Sequence, residues 1–204
     1  MSAAADLVAE LRAHVADERV LRAIAHVPRE AFVPPGLRAH AYDNVALGIG
    51  CGQTISQPLV VARMSELLEL RPGDRVLDVG TGSGYHAAVL ATLAEHVWSI
   101  ERHHALSAEA AVALGAAGVD NVTLVVGDGT DGLPDEAPFD AINVAAASRR
   151  GVLRKLEGQL APGGRMVAPV AARRQRLALA RRTEEGVSWH ALEEVRFVPL
   201  IRGR

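Results

Sequence analysis

The stretch Arg75-Val76-Leu77-Asp78-Val79-Gly80-Thr81-Gly82-Ser83-Gly84-Tyr85 decides the fold. Val76 to Val79 is a short apolar run with one inward acid, Asp78, and reads as a buried parallel strand. It breaks into Gly80 to Gly84, and an apolar-periodic helix follows from His86 to Leu93. The alternating glycines let the chain turn sharply and approach a ligand with no Cβ in the way. The helix that follows presents free backbone N–H groups to a polar ligand.

Two bulky ligands suit such a turn, a dinucleotide and S-adenosylmethionine. The dinucleotide pattern wants its third glycine where this chain has Tyr85, so the spacing is GxGxG and favours the methyl donor. A second strand, Val97 to Ile100, ends in Glu101, about twenty residues past the turn, where an acid can accept both ribose hydroxyls. A third, Val122 to Val126, ends in Gly127-Asp128-Gly129. All three strands deliver polar residues at their carboxyl ends, where open α/β sheets bind ligands.

The length of 204 residues suits one domain with a single substantial core. Hydrophobic residues make up 49%, yet no apolar run approaches the ~18 residues of a membrane span. Met1 to Ala5 shows no basic region followed by an apolar one, so nothing marks secretion. Cys51 is the lone cysteine, which excludes an internal disulfide and a multi-cysteine metal site. These features predict a soluble, cytoplasmic protein. The net charge of −2 offers no general attraction to nucleic acid. From Arg149 onward, however, there are 13 basic and 5 acidic side chains. The arginines come singly or in pairs without interleaved aromatics, which fits solvated surface or attraction to acidic polypeptides better than nucleic acid.

Helical spacing runs from Asp6 to Val15, and Asp17 caps a second helix that Pro28 ends. Arg29 to Gly36 reads as extended because prolines push the preceding residues out of helical geometry. A glycine-rich loop, Ala41 to Thr54, leads to a helix carrying Val61, Met64, Leu67 and Leu68 on one face, with Ser56 or Gln57 as its cap and Pro58 in its first turn. Beyond Asp128, a strand Phe139 to Val144, a helix from about Val152 to Leu160 and a strand Arg165 to Val170 continue the alternation of a doubly wound, mostly parallel sheet. Gln175 to Arg181, Val187 to Ala191 and Glu194 to Leu200 read as antiparallel strands at the sheet's end.

Five segments carry a resemblance: Pro28 to Pro34 (PREAFVP), Ile49 to Pro58 (IGCGQTISQP), Val76 to Tyr85, Gly127-Asp128-Gly129 and Arg196 to Leu200 (RFVPL). In this order over nearly the whole chain, they resemble those of the protein-L-isoaspartate O-methyltransferase family. GQTIS ahead of the glycine turn is the most specific of them. The resemblance implies a Rossmann-like methyltransferase fold over residues 1–204. Residues 1–73 would supply the N-terminal helices and active-site loop, 74–170 the cofactor core and 171–204 the C-terminal strands.

It also implies an activity, methyl transfer from S-adenosylmethionine to the α-carboxylate of L-isoaspartyl residues in damaged proteins, which starts repair through a succinimide. Ser56 would offer its hydroxyl to the substrate carboxylate, with Gln53, Thr54 and Ile55 closing over both ligands. Gly80, Gly82, Ser83 and Gly84 would border the methionine part and ribose, Glu101 the ribose hydroxyls, and Asp128 with Gly129 the adenine. An ionised carboxylate and an activated sulfonium methyl need neither a general base nor a metal. The expected partner is a protein or peptide chain, with no nucleic acid or membrane, and the enzyme is expected to be a monomer.

Three stretches depart from the family's pattern: Leu59-Val60, Ala145 to Arg150 and Ala171-Ala172, all near the expected peptide site. Two rival readings are a relative that esterifies an ordinary aspartate in one dedicated peptide, and a protein that senses S-adenosylmethionine without catalysis. The retained Ser56 argues against the second.

Overall fold

The computed structural model describes residues 2–203. Helix α1 (Ala3–Leu11) starts where the Ser2 hydroxyl accepts the Ala5 N–H, so it begins and ends earlier than the predicted Asp6 to Val15. Helix α2 (Glu18–His26) is capped by Asp17, as its sequence predicts. The predicted extended segment after Pro28 is instead a 3-10 turn, Arg29–Phe32. That turn buries Arg29 and Phe32 together, only Val33 and Pro34 are extended, and a second 3-10 turn, Pro35–His40, follows.

The glycine-rich loop holds a small antiparallel hairpin, β1 (Leu47–Gly48) with β2 (Thr54–Ile55), which leads into α3 (Pro58–Leu67). Neither Ser56 nor Gln57 caps α3 with its side chain. The Leu59 N–H donates instead to Asn44 Oδ1 at 3.0 Å, from across the loop. Asn44→Ala should therefore cost about 1 kcal/mol, or about 2–4 °C in a chain of this size, in a calorimetric melt. An unchanged melting temperature would show that water replaces this cap.

The main sheet has seven strands in the order β5-β4-β3-β6-β7-β8-β9. Its members are β3 (Arg75–Val79), β4 (His96–Glu101), β5 (Val122–Val126), β6 (Phe139–Val144), β7 (Leu160–Ala171), β8 (Gln175–Thr183) and β9 (Gly186–Glu194). The first five in this spatial order run parallel, β8 pairs antiparallel with β7, and β9 pairs antiparallel with β8. Along β3, Val76 faces a core shared with α3 and α4 (Tyr85–Ala91), whereas Leu77 and Val79 face one shared with α6 (Arg150–Glu157). Helix α5 (His104–Ala116) packs beside α4. Two-residue alternation thus buries both faces of the strand, which is why it reads as a continuous apolar run.

Two boundaries differ from the sequence reading. Helix α6 stops at Glu157 and Leu160 already pairs with Phe139, because a register shift before Ala141 and Arg165 absorbs the Pro-Gly-Gly turn inside one strand. Glu194 to Leu200 is not a third antiparallel strand: β9 runs on to Glu194, and the chain then crosses the carboxyl end of the sheet. There the Ala147 N–H donates to Val198 O (2.8 Å) and the Leu200 N–H to Ala147 O (2.7 Å). Val195 and Phe197, alternating with exposed Arg196, look like a strand but pack, partly buried, against the core around Met64 and Leu177, and Val198 lines the cavity.

Candidate active site

The carboxyl ends of β3, β4 and β6, the β1–β2 hairpin and the crossing segment enclose a cavity of about 850 Å³, including its open mouth. Gln53, Thr54, Ile55, Ser56, Gly80, Gly82, Ser83, Glu101 and Gly129 all line it. Val198 to Ile201 form its roof. Gly84 and Asp128 do not line it. Gly84 sits at φ +87°, and a Cβ there would come within 3.1 Å of Ala110 on α5, so this glycine serves close packing of the two helices. Asp128 turns its carboxylate onto the Thr130 N–H and hydroxyl (2.9 and 2.7 Å) and the Gly203 N–H (2.7 Å). Partial burial opposes its charged form, but these hydrogen bonds outweigh it and hold the carboxyl below its usual range.

Glu101 organises the end of the cavity beside the glycine turn. It is buried, Oε2 accepts the Gly82 N–H at 2.9 Å and Oε1 accepts the His103 N–H at 2.9 Å. The acid therefore pins the glycine turn and still has lone pairs for a diol. At Gly129 a Cβ would lie 2.6 Å from Val79, so only glycine fits in that wall. An acid beside a glycine turn, with Ile100 and Leu200 offering apolar surface, fits a nucleoside carrying a polar tail.

Beneath the turn runs a chain of buried polar side chains that the sequence reading missed, apart from Asp78. Register pairs Asp78 with Ser99 on one side and Asn143 on the other. Asp78 accepts the Ser99 hydroxyl (2.6 Å) and Asn143 Nδ2 (2.7 Å), and Ser99 in turn meets the Thr81 hydroxyl at 2.6 Å. His86 continues the chain, its Nδ1 3.1 Å from Asn143 Nδ2 and its Nε2 3.3 Å from Ser65 Oγ. Helix α3 is thereby tied to the glycine turn. Inside an apolar-periodic helix, His86 gives no sequence sign of this role.

Burial, helped by Glu101, pushes the Asp78 carboxyl up to about 6 against the Ser99 and Asn143 hydrogen bonds, and burial pushes His86 down to about 3. With its native value raised, Asp78 binds a proton in the folded chain at pH values where the unfolded chain has lost it. Its contribution to stability is therefore full in acid and falls as pH rises from about 4 to about 6, costing about 3 kcal/mol at neutrality. His86, with its lowered value, acts in the opposite sense, stability being lost as pH falls. The difference between wild type and Asp78→Asn isolates the carboxyl. Relative to wild type, the variant should gain melting temperature as pH rises from about 4 to about 6, and a constant offset would contradict the assignment.

A second cavity of about 1030 Å³ opens on the other side of Ser56. It shares Thr54, Ser56, Ala145 and Val198 with the first and adds Gln57, Val60, Glu194, Arg196 and Phe197. Ser56 therefore stands in the wall between two spaces. Among the described residues no cluster of His, Cys, Asp or Glu gathers in a metal-holding arrangement, and no helix is long and apolar enough to cross a membrane.

Residues 2–204 match the family model for protein-L-isoaspartate (D-aspartate) O-methyltransferase. A protein-L-isoaspartate O-methyltransferase from Roseiflexus castenholzii is 54% identical over 194 residues, 95% of this chain and 88% of that protein. A solved structure of a protein-L-isoaspartate O-methyltransferase superposes with a TM-score of 0.86 at 28% identity, covering 96% of this chain and 65% of the other. A Plasmodium falciparum chain assigned the same activity was solved in complex with S-adenosyl-L-homocysteine. It shares the fold, with a TM-score of 0.82 at 24% identity over 97% of this chain and 98% of its own.

Proposed function

The chain belongs to the protein-L-isoaspartate (D-aspartate) O-methyltransferase family, and from that premise we propose how its residues carry out the reaction. It transfers a methyl group from S-adenosylmethionine to the α-carboxylate of L-isoaspartyl residues in protein or peptide chains. The observation that carries this reading is the pair of cavities meeting at Ser56, one walled by the glycine turn and Glu101, the other open toward Arg196 and Phe197.

The cofactor, when bound, supplies a methyl group already activated on a sulfonium. Glu101 keeps the glycine turn in place through the Gly82 N–H and would take the ribose hydroxyls. Gly80, Gly82 and Ser83 would border the methionine part, and Gly129 would lie toward the adenine. Asp128 contributes through Thr130 and Gly203, by shaping the rim. Gln53, Thr54 and Ile55 form the partition, and Ser56 donates its hydroxyl to the acceptor carboxylate. Val198 to Ile201 exclude water from above.

An acceptor carboxylate is ionised at neutral pH, so this chain's work is to orient rather than to move a proton. The enzyme acts as a cytoplasmic monomer on this reading. Its test is methyl transfer from labelled donor to a matched pair of peptides, one aspartyl and one isoaspartyl. Label confined to the isoaspartyl peptide is expected. Equal labelling of both, or none, would overturn the substrate assignment.

A further inference from the structure

Arg29 is fully buried, and the reaction as described gives it no part. Its Nε donates to the Ala41 carbonyl at 2.8 Å and its Nη2 to the Ser56 carbonyl at 2.7 Å. The guanidinium lies 4.6 Å from the centre of the Tyr85 ring. Its Nη1 and the Tyr85 hydroxyl make no well-aligned hydrogen bond among the described residues, and the two groups are left to interact with each other. No carboxylate pairs with it among those residues: the groups acting on it are Tyr85 and Tyr42, and neighbouring Glu30 accepts the Tyr42 hydroxyl.

The other buried arginine, Arg165, shows what a compensated site looks like. It pairs with Asp74 and donates to the carbonyls of Leu68, Glu69 and Asp140. An arginine stays charged even where burial pushes its pKa down, and a buried charge without a counterion is costly unless something else completes it. With the neutral Tyr85 ring and hydroxyl beside it and no acid, the surroundings of Arg29 are short of negative charge. Ser56, whose carbonyl it holds, faces both cavities.

We propose that Arg29 is a positioning residue of the methyl-transfer site: it fixes the Ser56 segment through the Ser56 carbonyl, and its charge, set behind that segment, is completed by the substrate's carboxylate. The inference rests on the assignment of Ser56 to that carboxylate. Two consequences separate its parts. Methyl transfer turns the acceptor from an anion into a neutral ester, so a charge behind Ser56 favours the acid and lets the ester leave. The fork that spans the Ala41 and Ser56 carbonyls is a property of guanidinium, and a lysine ammonium would keep the charge while losing that span.

The experiment compares wild type, Arg29→Met and Arg29→Lys as full chains. Calorimetry in saturating S-adenosylhomocysteine gives the affinities of an isoaspartyl peptide and of its α-methyl ester, and steady-state kinetics give kcat and KM. Wild type should bind the acid at least about tenfold more tightly than the ester. In folded Arg29→Met that preference should fall below about threefold while S-adenosylhomocysteine affinity changes by less than about threefold. Arg29→Lys should keep the preference and lose at least about fivefold in kcat.

An unchanged acid-over-ester ratio in folded Arg29→Met overturns the proposal, as does a wild type without the preference. If Arg29→Met does not fold, Arg29→Lys decides, and a wild-type kcat there overturns it. A wild type that neither binds nor methylates the isoaspartyl peptide removes the functional assignment itself, and Arg29's role falls with it. Loss confined to the Arg29 variants leaves that assignment standing.

Discussion

Ser56→Ala is expected to lower kcat/KM for an isoaspartyl peptide by more than about tenfold and to leave the affinity for S-adenosylmethionine nearly unchanged. The melting temperature should move by less than about 2 °C, because Asn44 rather than Ser56 accepts the N–H at the start of α3. Had the hydroxyl been a cap, its loss would cost ~0.5–2 kcal/mol of stability and leave turnover intact. Kinetics beside a melting curve separate the two. A lowered melting temperature with unchanged kcat/KM would sink the functional role.

Glu101→Ala should weaken S-adenosylmethionine binding by at least about tenfold, since charge-assisted hydrogen bonds contribute on the order of 1.5–3 kcal/mol each. Two losses combine there. The ribose loses its acceptor, and the Gly82 and His103 amides, both held at 2.9 Å by the same carboxylate, lose theirs. Glu101→Gln, which keeps one carbonyl oxygen as acceptor, should fall between alanine and wild type. Calorimetry giving the wild-type affinity for Glu101→Ala would remove this acid from the cofactor's neighbourhood.

How much of the fold is legible in the sequence follows from how local each signal is. The strand from Arg75 to Val79, the glycine turn and Glu101 were legible because strand periodicity, glycine spacing and position at a strand end are written within a few dozen residues. The cap of α3 was not, since Asn44 lies fifteen residues before Leu59 and reaches it only through the folded loop. Arg29 looked like part of an extended, proline-bounded segment, and nothing nearby in sequence shows it beneath Ser56. Asp128 stands two residues past the end of β5, as its position in sequence predicts, but its side chain is taken up by Thr130 and Gly203. The crossing segment after Glu194 carries a strand's alternation, and only its docking on Ala147 tells it from a strand.

That crossing segment has a consequence for how the protein comes together. The roof of the cavity beside the glycine turn, Val198 to Ile201, is held by Ala147 and by the Gln175 side chain, which meets Phe197 N and O at 2.6 and 3.1 Å. The walls come from segments as far apart as Thr54 and Gly129. A nucleoside ligand thus has no binding site in a half-folded chain, and it cannot act as a nucleus on which the sheet assembles. It holds only the finished protein, so it slows unfolding while leaving the rate of folding alone.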